Sequence, residues 1–273
     1  MIASHESGIE RRALAALLCA ALLLTLGACG RSSSYRIIDT YSDEGNYVIA
    51  FRENDRLCDL VTAAMKELAA NGTFRSTSLR WFGENLVGLR GEGGEMTELW
   101  DEVQERTITV GVDVTNMPMS YESSEGYLGF DVDIANYICG YLGWQMVIYP
   151  IDPAKVGVEL QSGNIDMAMG IPESDETSGF SYSPAYLKSH YVLVARVSGH
   201  VRDRSALKGR SLGVAISDLE VLQQDPKFVD SLGSITYQTN TNGLFAALEG
   251  GEVDGILVSS VVAAYYMNLK LEP

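Results

Sequence analysis

The chain has 273 residues, of which 46% are apolar and 21% are charged, and its formal net charge is −16. This composition is ordinary for a globular protein with a sizeable core, and it excludes a chain that is disordered or membrane-spanning throughout. The excess of acidic residues also argues against nucleic acid or an anionic lipid surface as a partner, because phosphate groups are bound by clustered Lys and Arg side chains.

The first predicted element is a lipoprotein signal peptide at 1–28. Arg11 and Arg12 precede an apolar run that is shorter than the ~20 residues of a membrane-spanning helix. The run ends in Leu-Gly-Ala-Cys, which resembles bacterial lipoprotein signals that are cut before a cysteine, here Cys29, and acylated on it. Residues 29–34 are then a tether. The alternatives are an uncleaved anchor and a plain secretory signal, and each places the remaining chain outside the cytoplasm.

Two cysteines, Cys58 and Cys139, remain beyond the signal peptide, in an oxidising compartment where a disulfide is possible. Each falls in a predicted helix. Cys58 lies on the same helical face as Val61 and Met65, so the pattern equally allows a buried free thiol. No CxxC motif or His-Cys cluster indicates a metal site, and no cofactor is expected.

Residues 35–82 are predicted to form two short strands followed by helices. Apolar runs at 35–40 and 47–51 have strand character and are separated by a polar turn. Between 54 and 70, apolar residues recur at helical spacing, and an Asn-Gly pair provides a C-cap. The stretch that follows, NGTFRSTSLRWFG, has the features of the last helix of a domain.

The segment 83–106 is predicted to be a linker. Its first part, 83–95, is rich in Gly and Glu and has no periodic pattern. Its second part, 98–106, is expected to form a short helix with Trp100 facing inward.

From Thr107 onward, strands and helices alternate, which predicts mostly parallel sheets covered by helices. Two successive sets of such units indicate two α/β lobes. The predicted strands are TITVGVD (107–113), QMVIYP (145–150), IDMAMG (165–170), YVLVAR (191–196), SLGVAI (211–216), SITYQ (234–238) and VDGILV (253–258), and the predicted helices are 130–143, 154–160, one from Asp218, 242–251 and 259–267.

Four stretches of this part have a recognisable order and spacing. They are GYLGFDVDIANYICGYLG (126–143), LQSGNIDMAMGI (160–171), YSPAYLKSHYVLVAR (182–196) with LKGRSLGVAI (207–216), and ALEGGEVDGILV (247–258). Together they resemble the extracytoplasmic solute-binding proteins of polar amino-acid ABC transporters, which are family 3 and have the type II periplasmic binding protein fold. The resemblance implies an α/β protein whose two lobes close on a small solute and deliver it to an ABC permease.

The order of the elements differs from that of the family. A segment like 46–83 closes the chain in the family, whereas here it comes first. Joining Pro273 to Tyr35 restores the family order with every element present once, so the sequence is predicted to be circularly permuted. Domain termini are usually exposed and often close, so a linker can bridge them. The alternatives to a permuted monomer are a fragment of two tandem domains and a swapped dimer in which 35–82 completes a neighbour.

The resemblance also predicts which residues form each lobe. Lobe one is expected at 50–188, and lobe two at 35–45 together with 192–273, with crossovers near 46–51 and 188–193. Within lobe one, the parts are the family C-terminal helices 52–82, the linker 83–106 and the family N-terminal part 107–188.

The resemblance places the ligand between the lobes and shows where this chain departs from the family pattern. Family members hold an α-carboxylate with an Arg in a Thr-x-x-Arg motif after a glycine at a strand end, and Thr177 stands at the Arg position here. The family Asp that binds the α-ammonium corresponds to Ser259. The expected ligand-binding residues are Asp113, Asn116, Met119, Gly170, Ile171, Pro172, Thr177, Ser217, Asp218 and Ser259.

These departures weaken the case for an ordinary α-amino acid. Loss of two charge-assisted hydrogen bonds costs about 3–6 kcal/mol of binding free energy. Four acidic residues, Asp113, Asp218, Glu173 and Glu176, are candidates to face a cationic ligand instead. The alternative for them is an ordinary role as solvated loop carboxylates or helix N-caps.

The leading functional hypothesis is a lipid-anchored solute-binding component of an ABC transporter, outside the cytoplasm, for an amino-acid-like solute or an amine. One alternative is a sensor or interaction lobe with degenerate ligand binding. Another is a dehydratase-type enzyme on the same fold. The sequence shows no acid–base pair placed for catalysis, so we do not expect enzymatic activity.

Overall fold

Two five-stranded sheets organise the part of the chain that the computed structural model describes, residues 33–42, 45–172 and 179–268. The strands are β1 Tyr35–Ser42, β2 Tyr47–Arg52, β3 Thr107–Val112, β4 Thr115–Asn116, β5 Ser120–Ser123, β6 Gly126–Leu128, β7 Gln145–Pro150, β8 Met167–Pro172, β9 Phe180–Tyr182, β10 Tyr191–Arg196, β11 Ser211–Ala215, β12 Ser234–Gln238 and β13 Gly255–Ser259. The helices are α1 Leu57–Ala70, α2 Thr73–Phe82, α3 Phe130–Leu142, α4 Val156–Ser162, α5 Leu219–Gln223, α6 Pro226–Ser231, α7 Thr241–Gly250 and α8 Ser260–Asn268.

The first sheet has the strand order β7-β3-β8-β2-β9. β3 is parallel to both of its neighbours, whereas β2 is antiparallel to β8 and β9. Helix α3 contributes Phe130, Ile134 and Ile138 to the core, and all three are fully buried. Their spacing of four residues keeps them on one helical face.

The second sheet has the strand order β1-β10-β13-β11-β12. β11 is parallel to β12 and β13, and β10 is antiparallel to β1 and β13. Helices α7 and α8 pack on it. A separate three-stranded sheet, β4-β5-β6, lies between β3 and α3 in the chain.

The chain runs from one sheet to the other between β1 and β2 and again between β9 and β10. Beside these crossings, Tyr47 and Leu187 form an antiparallel bridge, with a 3.1 Å hydrogen bond from the Tyr47 N–H to the Leu187 carbonyl. On its other side Leu187 bridges to Val87. The Gly88 N–H donates to the Tyr186 carbonyl at 3.1 Å and the Lys188 N–H donates to the Leu86 carbonyl at 3.0 Å. We call residues 86–88 the linker strand.

The prediction of a helix at 98–106 was wrong. Within 98–106 the structure has a single 3₁₀ turn, Trp100–Glu102, and Val103 is extended with φ −75° and ψ 114°. Trp100 is 44% exposed rather than buried, and its ring lies 5.4 Å from that of Tyr141. A nine-residue segment without a capping side chain is too short to persist as a helix on its own.

The helical pattern in 54–70 is confirmed, since α1 buries Leu57, Val61, Met65 and Leu68. Among the described residues, Cys58 on α1 and Cys139 on α3 are free thiols, half-buried and buried respectively. Burial raises the pKa of both thiols, in the case of Cys139 to about 11, which favours the unreactive protonated form.

Candidate functional site

A cleft of about 480 Å³ is lined by residues of both sheets. The residues that line it come mainly from strand ends and from the turns that follow them. Because the carboxyl ends of parallel strands meet at one edge of a sheet, β3 and β8 contribute from the first sheet, and β11 and β13 from the second. A cleft at this position is where α/β folds bind ligands.

On the first sheet, Asp113 follows β3 directly. Its Oδ1 accepts hydrogen bonds from the N–H of Thr115 at 2.9 Å and from the hydroxyl of the same residue at 2.7 Å. The Asp113 carbonyl accepts from the Ser120 hydroxyl at 2.7 Å. These bonds fix the position of the carboxylate at the edge of the cleft.

On the second sheet, Asp218 lies in the turn after β11. Its Oδ1 accepts from the Tyr191 hydroxyl at 3.2 Å and from the Ser217 hydroxyl at 3.3 Å. Burial raises the pKa of Asp218 to about 6. The hydrogen bonds from Tyr191 and Ser217 oppose this shift in pKa, and the negative charge of Asp113 adds to it. The Asp218 carboxylate is therefore poorly solvated, and it is close enough to Asp113 for the two carboxylates to interact electrostatically.

Ser259, at the end of β13, has two partners inside the protein. The Tyr47 hydroxyl donates to its Oγ at 3.2 Å, and the same Oγ accepts from the Val262 N–H at 3.4 Å. The second bond is an N-cap interaction at the start of α8. Burial raises the pKa of Tyr47, so this phenol stays protonated as a donor near neutral pH.

Behind the wall of the cleft, the Tyr186 hydroxyl donates to Asp131 Oδ1 at 2.6 Å and accepts from the Gly170 N–H at 3.0 Å. Asp131 is only 1% exposed, and burial raises its pKa to about 7, against a lowering contribution from the Tyr186 hydrogen bond. Gly170 has φ 69°, and a Cβ there would lie 2.4 Å from Asp131 Oδ2. The position therefore requires glycine.

Eight of the ten residues expected at the site from the sequence line this cleft: Asp113, Asn116, Gly170, Ile171, Pro172, Ser217, Asp218 and Ser259. The expectation for Met119 was wrong, because it is fully buried in the core. Its backbone explains this, since the Met119 carbonyl accepts from the Asp131 N–H at 2.9 Å and so holds it against the start of α3. Thr177 lies outside the described residues, as do Glu173, Glu176 and Cys29.

Sequence reasoning missed the aromatic residues of the cleft and most of its apolar wall. Tyr182 and Tyr191 were within a recognised stretch, but nothing in it indicated that their rings face a cleft. The missed lining residues are Tyr47, Ala50, Thr115, Ile151, Pro153, Ala154, Val156, Gly157, Met169, Phe180, Tyr182, Tyr191, Ala215, Thr239, Asn240, Thr241, Leu244, Val258 and Val262.

The charged side chains in the described lining of the cleft are all acidic. Among the described residues that line the cleft, Asp113 and Asp218 are the two carboxylates, and none is Lys, Arg or His. Within 33–42, 45–172 and 179–268, no three His, Cys, Asp or Glu side chains are grouped so as to hold a metal ion. In that same part of the chain, no helix combines the length and apolarity needed to cross a membrane.

The model of the bacterial extracellular solute-binding proteins, family 3, matches residues 108–251, which is more than half of the chain. The chain belongs to this family. The matched residues of this family 3 protein run from β3 to just beyond α7 and include Asp113, Gly170 and Asp218.

Two curated relatives of this family 3 protein are binding proteins. The arginine-binding extracellular protein ArtP of Bacillus subtilis (strain 168) is 18% identical over 170 residues, which are 61% of this chain and 66% of ArtP. The L-cystine-binding protein TcyJ of Escherichia coli (strain K12) is 28% identical over 173 residues, 60% of this chain and 64% of TcyJ. The chain thus spans less than two thirds of the length of either relative.

Solved structures share its fold. The substrate-binding protein of an ABC uptake transporter from Streptococcus pneumoniae, with bound histidine, has a TM-score of 0.52 and 26% identity, covering 65% of this chain and 74% of its own. The ancestral amino acid-binding protein AncCDT-1, a precursor of cyclohexadienyl dehydratase, has a TM-score of 0.53 and 23% identity, covering 64% and 78%. The predicted α/β fold of type II periplasmic binding proteins is confirmed.

Proposed function

We propose that this family 3 protein is the lipid-anchored solute-binding component of an ABC transporter. It binds a small polar solute, amino-acid-like or an amine, in the cleft and delivers it to a permease in the membrane. The observation that carries the proposal is the cleft itself, since carboxylates from two separate sheets, Asp113 and Asp218, line one cavity. A volume of about 480 Å³ is within the range of small-molecule sites.

In this proposal each sheet belongs to one lobe, lobe one at 50–188 and lobe two at 35–45 with 192–273. The crossovers near 46–51 and 188–193 act as the hinge. A hinge at these strands lets the lobes close on the solute and exclude water. Small-angle scattering with and without solute tests this step, and we expect a smaller radius of gyration when solute is bound.

We also propose that the chain is a circular permutant of its family. The strands β1 and β2 precede the matched region 108–251 in the chain, yet β2 lies between β8 and β9, and β1 is the edge strand beside β10. Both sheets are thus completed by a segment that comes before the family match. This arrangement supports a moved segment rather than an added domain.

The proposal of a lipid anchor rests on the sequence of 1–29 alone. We expect the full chain, produced in a bacterium, to incorporate an alkyne-tagged fatty acid and to fractionate with membranes. A Cys29→Ser variant should lose both properties because it removes the acylated thiol. A wild-type chain without label would leave the uncleaved anchor and the plain secretory signal as alternatives, and membrane fractionation would separate these two.

The solute-binding proposal is tested by thermal melting of the chain from residue 30 against amino acids, amines, peptides and sugars. A solute that binds only the native state raises the melting temperature. We expect at least one solute to do so, with a dissociation constant confirmed by calorimetry. A chain that binds no solute but captures a partner protein would support the sensor alternative, and turnover of a prephenate-like substrate would support the enzyme.

A further inference from the structure

The charges of the cleft restrict what it can hold. Asp113 and Asp218 bring two carboxylates to one cavity from opposite sheets, and the described lining residues offer no cationic side chain to balance them. The sequence of 173–178, Glu-Ser-Asp-Glu-Thr-Ser, contains no Lys or Arg either. A solute carboxylate would therefore meet like charges and only neutral donors, whereas an ammonium group would meet two anions.

Both carboxylates are held in place with acceptor capacity to spare. Asp113 Oδ1 accepts two bonds from Thr115, and Asp218 Oδ1 accepts from Tyr191 and Ser217. A carboxylate can accept about four hydrogen bonds, so each has room for a donor from a solute. The donors that hold Asp113 and Asp218 are neutral, which leaves both negative charges available to a cation.

An apolar wall adjoins the carboxylates. The Ile151 N–H donates to the Val112 carbonyl at 3.0 Å, which places Ile151 beside the residue that precedes Asp113. Further along the wall, the Phe180 ring lies against Gly157, where an added Cβ would approach Cζ to 2.9 Å. The ring of Tyr191, whose hydroxyl holds Asp218, also lines the cleft. Carboxylates beside apolar and aromatic walls suit a cation with a hydrocarbon body.

We propose that the cleft selects an organic amine without a carboxylate, with its ammonium at Asp113 and Asp218 and its hydrocarbon body against the wall formed by Ile151 and Phe180. This inference rests on the proposed solute-binding function of the cleft. The inference narrows the proposed solutes of the cleft to primary amines and diamines, and it excludes α-amino acids from them.

The test compares each amino acid with the amine that differs from it only by the carboxylate. The pairs are phenylalanine and phenethylamine, tyrosine and tyramine, tryptophan and tryptamine, lysine and cadaverine, and arginine and agmatine. Binding of each to the chain from residue 30 is measured by calorimetry at pH 7.5. We expect at least one amine to bind about tenfold or more tightly than its parent amino acid.

The Asp218→Asn variant then tests the site. We expect it to weaken binding of that amine about tenfold to a hundredfold, since it removes a charge-assisted hydrogen bond. The Glu220→Gln variant makes the same change at an exposed position two residues away and should bind normally. Circular dichroism and melting without solute show that both variants are folded.

The outcomes separate the inference from the function on which it rests. An amino acid that binds as tightly as its amine, or an amine that binds Asp218→Asn as tightly as the wild type, would overturn the inference and leave the solute-binding function intact. A chain that binds none of these solutes, nor any of the wider panel, would count against both.

Discussion

The Tyr186 hydroxyl donates a 2.6 Å hydrogen bond to Asp131, a carboxyl group that is almost fully buried behind the cleft. The same hydroxyl accepts from the Gly170 N–H, so one phenol satisfies a buried acid and a backbone donor on the wall of the cleft. Neither Asp131 nor Tyr186 lines the cavity. Their contribution is to hold the end of β8 in place.

We expect Tyr186→Phe to destabilise the protein by about 1–3 kcal/mol, because it leaves a buried acceptor and a buried donor without their partner. Urea unfolding measures the change. Tyr237→Phe is the matched control, since Tyr237 is an exposed tyrosine, and it should change stability little. Equal effects of the two substitutions would contradict a structural role for the Tyr186 hydroxyl.

The raised pKa of Asp131 gives a prediction about pH. Because the pKa is about 7 in the folded protein and 3.8 is the ordinary value, the unfolded chain binds fewer protons between these values. The contribution of Asp131 to stability therefore falls as pH rises through this window and is lowest above pH 7.

Asp131→Asn removes this titration and keeps an oxygen acceptor for Tyr186. We expect the stability of the variant relative to wild type to be greater at pH 8 than at pH 5, by urea unfolding at both values. Comparing variant with wild type at each pH cancels the general effect of net charge on stability. A difference that does not change with pH would show that Asp131 does not titrate in this range.

Gly170→Ala should destabilise the protein more than Gly143→Ala. The two glycines have nearly the same backbone, φ 69° and 71°, so the conformational penalty of about 1 kcal/mol is shared. At Gly170 the new Cβ also meets Asp131 Oδ2 at 2.4 Å, whereas at Gly143 no atom lies within 4 Å. Thermal melting of both variants measures how much further Gly170→Ala lowers the stability than Gly143→Ala does. Equal losses of stability would refute the close approach of Asp131 to β8.

If the solute is an amine, its affinity should fall as pH is lowered through about 6, the pKa of Asp218 without solute. Protonation removes the negative charge that the amine meets, and at pH 5 only about a tenth of the carboxyl is ionised, which weakens binding up to about tenfold. Tyr191 and Tyr47 stay protonated in this range because burial raises their pKa values.

Calorimetry of the tightest-binding amine from pH 5 to pH 8 measures this dependence, and Asp218→Asn should flatten it. Asp113 also lines the cleft, so Asp113→Asn is run in parallel. A pH dependence that survives in Asp218→Asn but disappears in Asp113→Asn would contradict the assignment of this titration to Asp218.

The permutation proposal predicts that a chain with residues 35–82 moved after Pro273 folds. Circular dichroism, a cooperative melt and the same solute affinity as the original order are the expected results. The shuffled control places 35–82 at an internal exposed turn, between Glu125 and Gly126, and should not give this result. Failure of the family order to fold would contradict the permutation.

Much of the fold follows from local patterns. The alternating units after Thr107 predicted the parallel strands because buried strands and amphipathic helices have different periods. Asp113, Gly170 and Asp218 could be placed at the candidate cleft because the resemblance to family 3 matches them to positions at or near the ends of recognised strands, and strand ends converge at one edge of a sheet. The helix predicted at 98–106 failed because its few apolar residues did not outweigh the cost of forming a short helix.

The rest depends on contacts between distant residues. Tyr191 and Asp218 are 27 residues apart, and Tyr186 and Asp131 are 55 apart. An aspartate at the start of a helix ordinarily interacts with the helix dipole, so nothing in the sequence singled out Asp131 as a buried acid. Tyr47 reaches Ser259 across 212 residues, a pairing that only the folded chain creates.

The linker strand has a mechanical consequence. Residues 86–88 are the third segment of a small ribbon held by isolated bridges, with Leu187 in the centre and Tyr47 on the far side. A ribbon three strands wide bends readily across its face and resists bending in its own plane. In the proposed hinge, the segment that connects α2 to β3 should therefore stiffen the crossing between the sheets in one direction and restrict the axis about which the two proposed lobes rotate.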